Sequence, residues 1–263
     1  MDLQLANKLA LVSGSTAGIG YAIAETLVAE GARVIVNGRT PAGVDAALAS
    51  IRKATGKEAI GFAGDLSDAA VSEALVKKHP GIEILVNNLG IFEAKAFEDI
   101  PDADWVRFFE VNVLSGARLA RLVLPAMRRA NWGRIIFISS ESGVHIPAEM
   151  VHYGMTKAAQ IATARGIAET VAGTGITVNS VLPGPTRSRG VGDFVEQLAR
   201  EQGKTGAQVE KEFFAQVRPT SLIKRFSNTQ EVAAMVAYIA SPLASSTTGA
   251  ALRVDGGTVK SAF

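Results

Sequence analysis

Apolar positions along the chain fall into two alternating textures. Short, nearly unbroken apolar runs recur at residues 8–13 (KLALVS), 33–37 (RVIVN), 58–64 (EAIGFAG), 82–88 (IEILVNN), 133–140 (GRIIFISS), 175–183 (GITVNSVLP) and 251–257 (ALRVDGG). Runs that do not alternate with polar residues read as strands buried on both faces. Between them the spacing turns helical. Ile19, Ile23 and Leu27 stand four apart and stop at Gly31, a glycine-terminated helix. Pro41 opens a second helix to about Ala54, a third begins near Asp68, and a long helical region runs from about Asp102 to Arg129. A further helix follows the fifth strand. Seven strands alternating with helices predict an α/β fold, a doubly wound parallel sheet covered on both faces.

Linkers, repeats and low-complexity tracts are absent, so residues 1–263 read as one domain. One segment breaks the rhythm. Residues 187–225 carry many charges, the aromatics Phe194, Phe213 and Phe214, and no strand pattern, with helical texture from Asp193 to Glu201. An insertion of this length in a small α/β domain is usually functional. It is expected to be a lid over a substrate.

Composition narrows the partners. Net charge is +2 and no long basic run occurs, which argues against nucleic acid. The chain has no cysteine, so disulfides and thiolate metal sites are excluded. His79, His145 and His152 lack metal-ligand spacing, and no metal is expected. No apolar run approaches the ~20 residues of a membrane helix, and the start, MDLQLANKLALVSG, lacks a signal-peptide pattern. A soluble cytoplasmic protein is the expectation.

Two motifs carry candidate chemistry. The stretch SGSTAGIG, between the first strand and the first helix, spaces Gly14, Gly18 and Gly20 as GxxxGxG. Residues without Cβ let backbone approach a phosphate, and the helix N-terminus behind them attracts the anion. The second motif is HYGMTK, with Tyr153 and Lys157 one helical turn apart on one face. A phenol and an ammonium side by side could be a solvated surface pair or an acid/base pair.

Taken with the rest of the chain, these motifs resemble the short-chain dehydrogenase/reductase family, from about Lys8 to Gly257. NNLG (87–90) is similar to the family's NNAG, with Leu89 in place of Ala; Asn112 in EVNVLSG, Ser140 ending ISS, YGMTK, PGPT (183–186) and VDGG (254–257) follow in the family's order. The resemblance implies a Rossmann-type fold and an NAD(P)-dependent enzyme that interconverts a carbonyl and an alcohol. It assigns Tyr153 as general acid/base and Lys157 as the residue that makes the phenol acidic and holds the nicotinamide ribose. Ser140 would polarise the substrate carbonyl, and Asn112 would position a water linking Lys157 to solvent. Free tyrosine has a pKa of about 10, so acid/base work near neutrality needs a drop of ~3 units.

The same resemblance places Gly14, Ser15, Thr16, Gly18, Ile19 and Gly20 against the cofactor phosphates, and Asp65 and Leu66 against adenine. Asn88 and Gly90 would line the adenine and ribose side. Pro183, Gly184, Thr186 and Ser188 would reach the carboxamide end. Cofactor choice turns on VIVNGR: where NAD users carry an acid, this chain has Gly38, followed by Arg39. A guanidinium suits a 2′-phosphate, so NADP is expected over NAD, although Ala17 stands where many NADP users carry a second basic residue. The substrate is unknown. A 3-oxoacyl thioester or another small or medium apolar ketone fits the apolar texture of the insertion. His145, Glu149 and His152 read as surface polar residues, and Glu141 would repel an anionic substrate if it faced the pocket. The alternative is a non-catalytic NADP-binding regulator, which has no need of Asn112, Ser140, Tyr153 and Lys157 together. Nucleotide-sugar isomerases or dehydratases are longer and use another glycine spacing. The Ala-rich helix after Tyr153 predicts a homo-oligomer, tetramer or dimer.

Overall fold

All seven apolar runs form strands of one parallel sheet. The computed structural model describes residues 1–188, 191, 192, 196 and 199–262. In chain order the main strands are β1 (Leu9–Val12), β2 (Arg33–Gly38), β3 (Ile60–Ala63), β4 (Ile84–Asn87), β5 (Gly133–Ile138), β6 (Ile176–Pro183) and β9 (Ala251–Val254). They lie side by side as β3-β2-β1-β4-β5-β6-β9. Leu11 of β1 stands opposite Ile35 on one side and Leu85 on the other. The order reverses between β1 and β4, and the crevice beyond the strand ends there is where such sheets bind ligands.

Helices cover both faces. α1 (Gly18–Ala29), α2 (Pro41–Thr55) and α8 (Thr229–Ala240) pack one core, through Ile23, Leu27, Ile51, Val232 and Val236. α3 (Ala69–Lys78), α5 (Ser115–Ala130) and α6 (Val151–Thr170) pack the other, through Leu75, Leu119, Val123, Met127 and Ala164. Buried on both sides, the inner strands have no polar face, which is why they read as unbroken apolar runs.

Two regions depart from the expected pattern. The long helical region is not continuous: α4 (Asp102–Phe109) passes through a π turn at Glu110–Leu114 into α5. Such a turn widens the helix and leaves the backbone open to outside partners, a feature common at functional sites. The 187–225 segment is flanked by a short strand pair. β7 (Thr186–Arg187) pairs with β8 (Ser227–Asn228) at its base, a ladder too short to leave an alternating pattern. It also holds α7 (Gly206–Gln216), started by a Thr205 capping box. Phe214 and Val209 of α7 pack with Ala199 and Phe226 into a small core, on which Phe213 also rests. The helix expected from Asp193 to Glu201 lies partly outside the described residues, and Phe194 wholly so; residues 196 and 199–201 are helical. Among the described residues, no helix is long and apolar enough to cross a membrane and no cluster of metal ligands occurs.

Candidate active site

The glycine loop sits at the C-terminal end of β1. Gly14 and Gly18 both have φ of +60°, a left-handed conformation that L side chains rarely adopt. A Cβ on Gly20 would fall 2.3 Å from Asn88 Nδ2 and 2.5 Å from the Gly14 carbonyl. Asn88 Nδ2 donates to the Ser13 and Gly14 carbonyls, tying β4 to the loop. No side chain caps α1, so its first-turn N–H groups stay open toward an anion. The loop thus fits a dinucleotide phosphate on its own geometry.

Not every expected residue lies on that surface. Ser15 is fully buried; its hydroxyl donates to the Val12 carbonyl at 2.7 Å and accepts from Asn37 N at 2.9 Å. Its own N–H goes to the Asn37 carbonyl, so Ser15 braces the loop from beneath. Thr16 is half-buried and Ile19 packs on the α1 core, leaving its backbone for the ligand. Thr16 also packs against the end of β2: a Cβ on Gly38 would meet Thr16 Cγ2 at 2.4 Å. Arg39 is exposed and, among the described residues, has no ion-pair partner. Asp65 is exposed beyond β3, bonded to Ser67, whereas the Leu66 side chain is in the core and offers only backbone. Asn88 and Gly90 line the end of β4, and Pro183, Gly184, Thr186 and Ser188 follow β6, with Ser188 packed 3.4 Å from a Cβ built on Gly18. The Thr186 hydroxyl donates to the Gly184 carbonyl.

Ser140, Tyr153, Lys157 and Asn112 converge between β5, α6 and the π turn. Ser140 lies just beyond β5, and its hydroxyl is hydrogen-bonded to the Tyr153 phenol. Burial pushes the phenol above its ordinary value; the Ser140 bond opposes this and the Glu141 charge adds to it. Lys157 Nζ sits 5.4 Å from the centre of the Tyr153 ring and donates to the Ile138 carbonyl and to Gln160 Oε1, each at 3.0 Å. Burial pushes this lysine down to about 7. Burial thus opposes ionisation of the phenol.

Asn112 is fully buried. Its amide accepts from Ile91 N and donates to the Ile91 carbonyl and to Thr156 Oγ1, clamping the loop that follows Gly90. Its backbone carbonyl, freed by the π turn, accepts from Gln160 Nε2 at 2.6 Å. Gln160 thus bridges Lys157 and Asn112. It stands three residues after Lys157 on one helix face, and that spacing was the available signal. Glu141 was expected at most as a repulsive charge. It is buried, accepts the Ser140 hydroxyl proton at 2.5 Å and faces Arg218 Nε at 3.4 Å. His152 is not a surface residue: it is fully buried, its ring 4.2 Å from Phe108, and burial lowers its proton affinity.

Comparison with known proteins agrees with this architecture. Residues 14–259 match the family model described as enoyl-(acyl carrier protein) reductase. The chain belongs to the short-chain dehydrogenase/reductase family and is an NAD(P)-dependent oxidoreductase of Rossmann-type fold. It is 46% identical to an uncharacterized oxidoreductase of Bacillus subtilis, YvrD, over 99% of this chain and 100% of the relative. It is 35% identical to the D-beta-hydroxybutyrate dehydrogenase of Cupriavidus necator, over 97% and 99% of the two chains. The L-sorbose reductase of Gluconobacter frateurii, solved with NADPH and L-sorbose, superposes with a TM-score of 0.92 at 29% identity, over 99% and 100% of the chains.

Proposed function

We propose that this oxidoreductase is an NADP-dependent carbonyl reductase with Tyr153 as its general acid/base. The observation that carries the reading is the Ser140–Tyr153 hydrogen bond beside buried Lys157, between the end of β5 and α6. The cofactor, when bound, supplies the hydride. Tyr153 donates its proton to the oxygen of the substrate as negative charge develops there. Ser140 orients that oxygen, Lys157 binds the nicotinamide ribose, and Asn112 holds the 88–91 turn that frames it. Gly14, Gly18 and Gly20 admit the pyrophosphate, and exposed Arg39 pairs with the 2′-phosphate. The solved relative bound to NADPH supports this choice of cofactor.

The substrate is a small or medium carbonyl compound with an apolar body. Phe92, Val144, Ile146, Val217 and Leu222 are exposed on segments that border Tyr153 or Arg218; the Phe92 ring stands edge-on to Tyr153 at 6.4 Å. Residues 187–218 act as a lid over this mouth. The protein assembles as a dimer or tetramer through α5 and α6, where Leu114, Ala117, Leu124 and Ile167 line a mostly apolar groove. The test is a panel of neutral ketones, sugars, 3-oxoacids and 3-oxoacyl thioesters, assayed with NADPH and NADH in parallel. Turnover of a neutral ketone with NADPH preferred supports the reading. No turnover on any carbonyl, with NADPH still bound, favours a binding-only regulator.

A further inference from the structure

The carboxylate of Glu141 is placed where the reaction feels it. Glu141 opens a short 3-10 turn directly after Ser140 and is buried. Its Oε2 accepts from Ser140 Oγ at 2.5 Å, from Ser142 N at 2.7 Å and from Ser142 Oγ at 3.0 Å. All three groups converge on this one oxygen, which serves as their acceptor. Its Oε1 faces Arg218 Nε at 3.4 Å, and Arg218 Nη1 also donates to Glu149 Oε1 at 3.2 Å. Arg218 lies just past α7, in the lid segment, and is nearly buried.

A serine hydroxyl has one proton. Here Glu141 accepts it, while Ser140 Oγ accepts from Ser142 N; only a Ser140 hydroxyl turned to donate to the Tyr153 oxygen favours the phenolate. A Tyr153 phenolate would have to take that proton from Glu141 and bear a like charge nearby. A protonated Tyr153 meets neither obstacle. Reduction begins with the phenol protonated, and alcohol oxidation begins with it ionised.

We propose that Glu141 is a positioning residue of this site, which fixes the Ser140 proton and, with Arg218 offsetting its charge, commits the resting enzyme to carbonyl reduction. The other charged groups around Tyr153 are Lys157 on α6, Glu149 in the turn before it, and the Glu93, Lys95, Asp104 and Arg107 cluster that faces His152 from the α4 side. None of these except Glu149 pairs with Glu141 or Arg218; Arg218→Met also frees Glu149 and Arg218→Lys keeps a cation beside it, so the Lys variant controls for that loss. The inference rests on Tyr153 being the acid/base, but its test needs no turnover.

The chain has three tyrosines, Tyr21, Tyr153 and Tyr238. With 3-fluorotyrosine incorporated, each gives one fluorine NMR signal, and Tyr153→Phe identifies the one that matters. The protein is titrated with NADP+ bound. Glu141→Gln keeps the side-chain shape and removes the charge, and should lower the Tyr153 midpoint by about one pH unit. Arg218→Met leaves the carboxylate uncompensated and should raise it, while Arg218→Lys should stay near wild type. Opposite shifts are the signature, because a purely structural role for the pair would move both variants the same way. Unmoved Tyr21 and Tyr238 signals confirm the fold. A Glu141→Gln midpoint equal to wild type, including both staying protonated up to the unfolding limit, overturns the proposal. So do shifts of the same sign in Glu141→Gln and Arg218→Met. If Tyr153→Phe retained activity while these shifts appeared, the acid/base assignment would fail and the Glu141 effect would stand.

Discussion

Lys157→Met should reveal what a buried lysine costs the fold. The ammonium is 5% exposed, and burial moves it from 10.5 in a free chain to about 7 in the folded one. Below the folded value, lysine is charged in both states and the full desolvation penalty weakens the native state. As pH rises from there toward the unfolded value, the native lysine is neutral while the unfolded one keeps its proton. Stability then rises with pH, by about 1.4 kcal/mol per pH unit. Between about pH 7 and about pH 9.5 the wild type should gain about 3 kcal/mol that Lys157→Met does not. Loss of the bonds to Ile138 and Gln160 shifts the variant by a constant amount and leaves this slope untouched. Urea unfolding of both proteins without cofactor, across that range, measures the difference, and all other titrating groups cancel in it. At low pH the gap favours Met most, and it should close or reverse as pH rises. Parallel stability curves, or a gap that widens in favour of Met with pH, would show that the lysine is not held toward its neutral form.

Four further outcomes are expected. Arg39→Ala should weaken NADPH by roughly ten- to hundredfold, the value of a charge-assisted contact, and leave NADH nearly unchanged in a fluorescence titration. Gly38→Asp alone should bind both cofactors poorly, because its Cβ would meet Thr16 Cγ2 at 2.4 Å, whereas adding Thr16→Ser should turn the preference toward NADH. Hydrogen exchange in the described part of residues 187–218 should slow when cofactor and a carbonyl substrate are both present, and equal exchange with and without them would remove the lid. Light scattering at micromolar protein should give a dimer or tetramer mass, and Leu124→Glu in the α5 groove should lower it; a wild-type monomer would end that proposal.

The sequence made the sheet plain because its inner strands are buried on both faces and so carry single apolar runs, while the edge strands β3 and β9 are partly exposed. Helix boundaries were also legible where glycine or proline ends them, as at Gly31 and Pro41. The π turn at Glu110–Leu114 was not, because one extra residue per turn hardly disturbs an apolar period already spread over α4 and α5. The linear order of Asn112, Ser140, Tyr153 and Lys157 named the site, but their partners depend on distance in space. Glu141 and Arg218 are 77 residues apart, and nothing local to either announces the pair. The surface reading of His152 failed for the same reason in reverse: it is polar and read as available, yet it is buried, enclosed by Phe108 and Trp105.

The most direct measurement is the steady-state reduction of one neutral ketone with NADPH by wild type and Tyr153→Phe. The substitution removes only the hydroxyl that Ser140 holds. kcat should fall at least ~100-fold, the low end for loss of a general acid, with NADPH affinity nearly unchanged. A variant that keeps most of its kcat would contradict the assignment of Tyr153 as the proton donor.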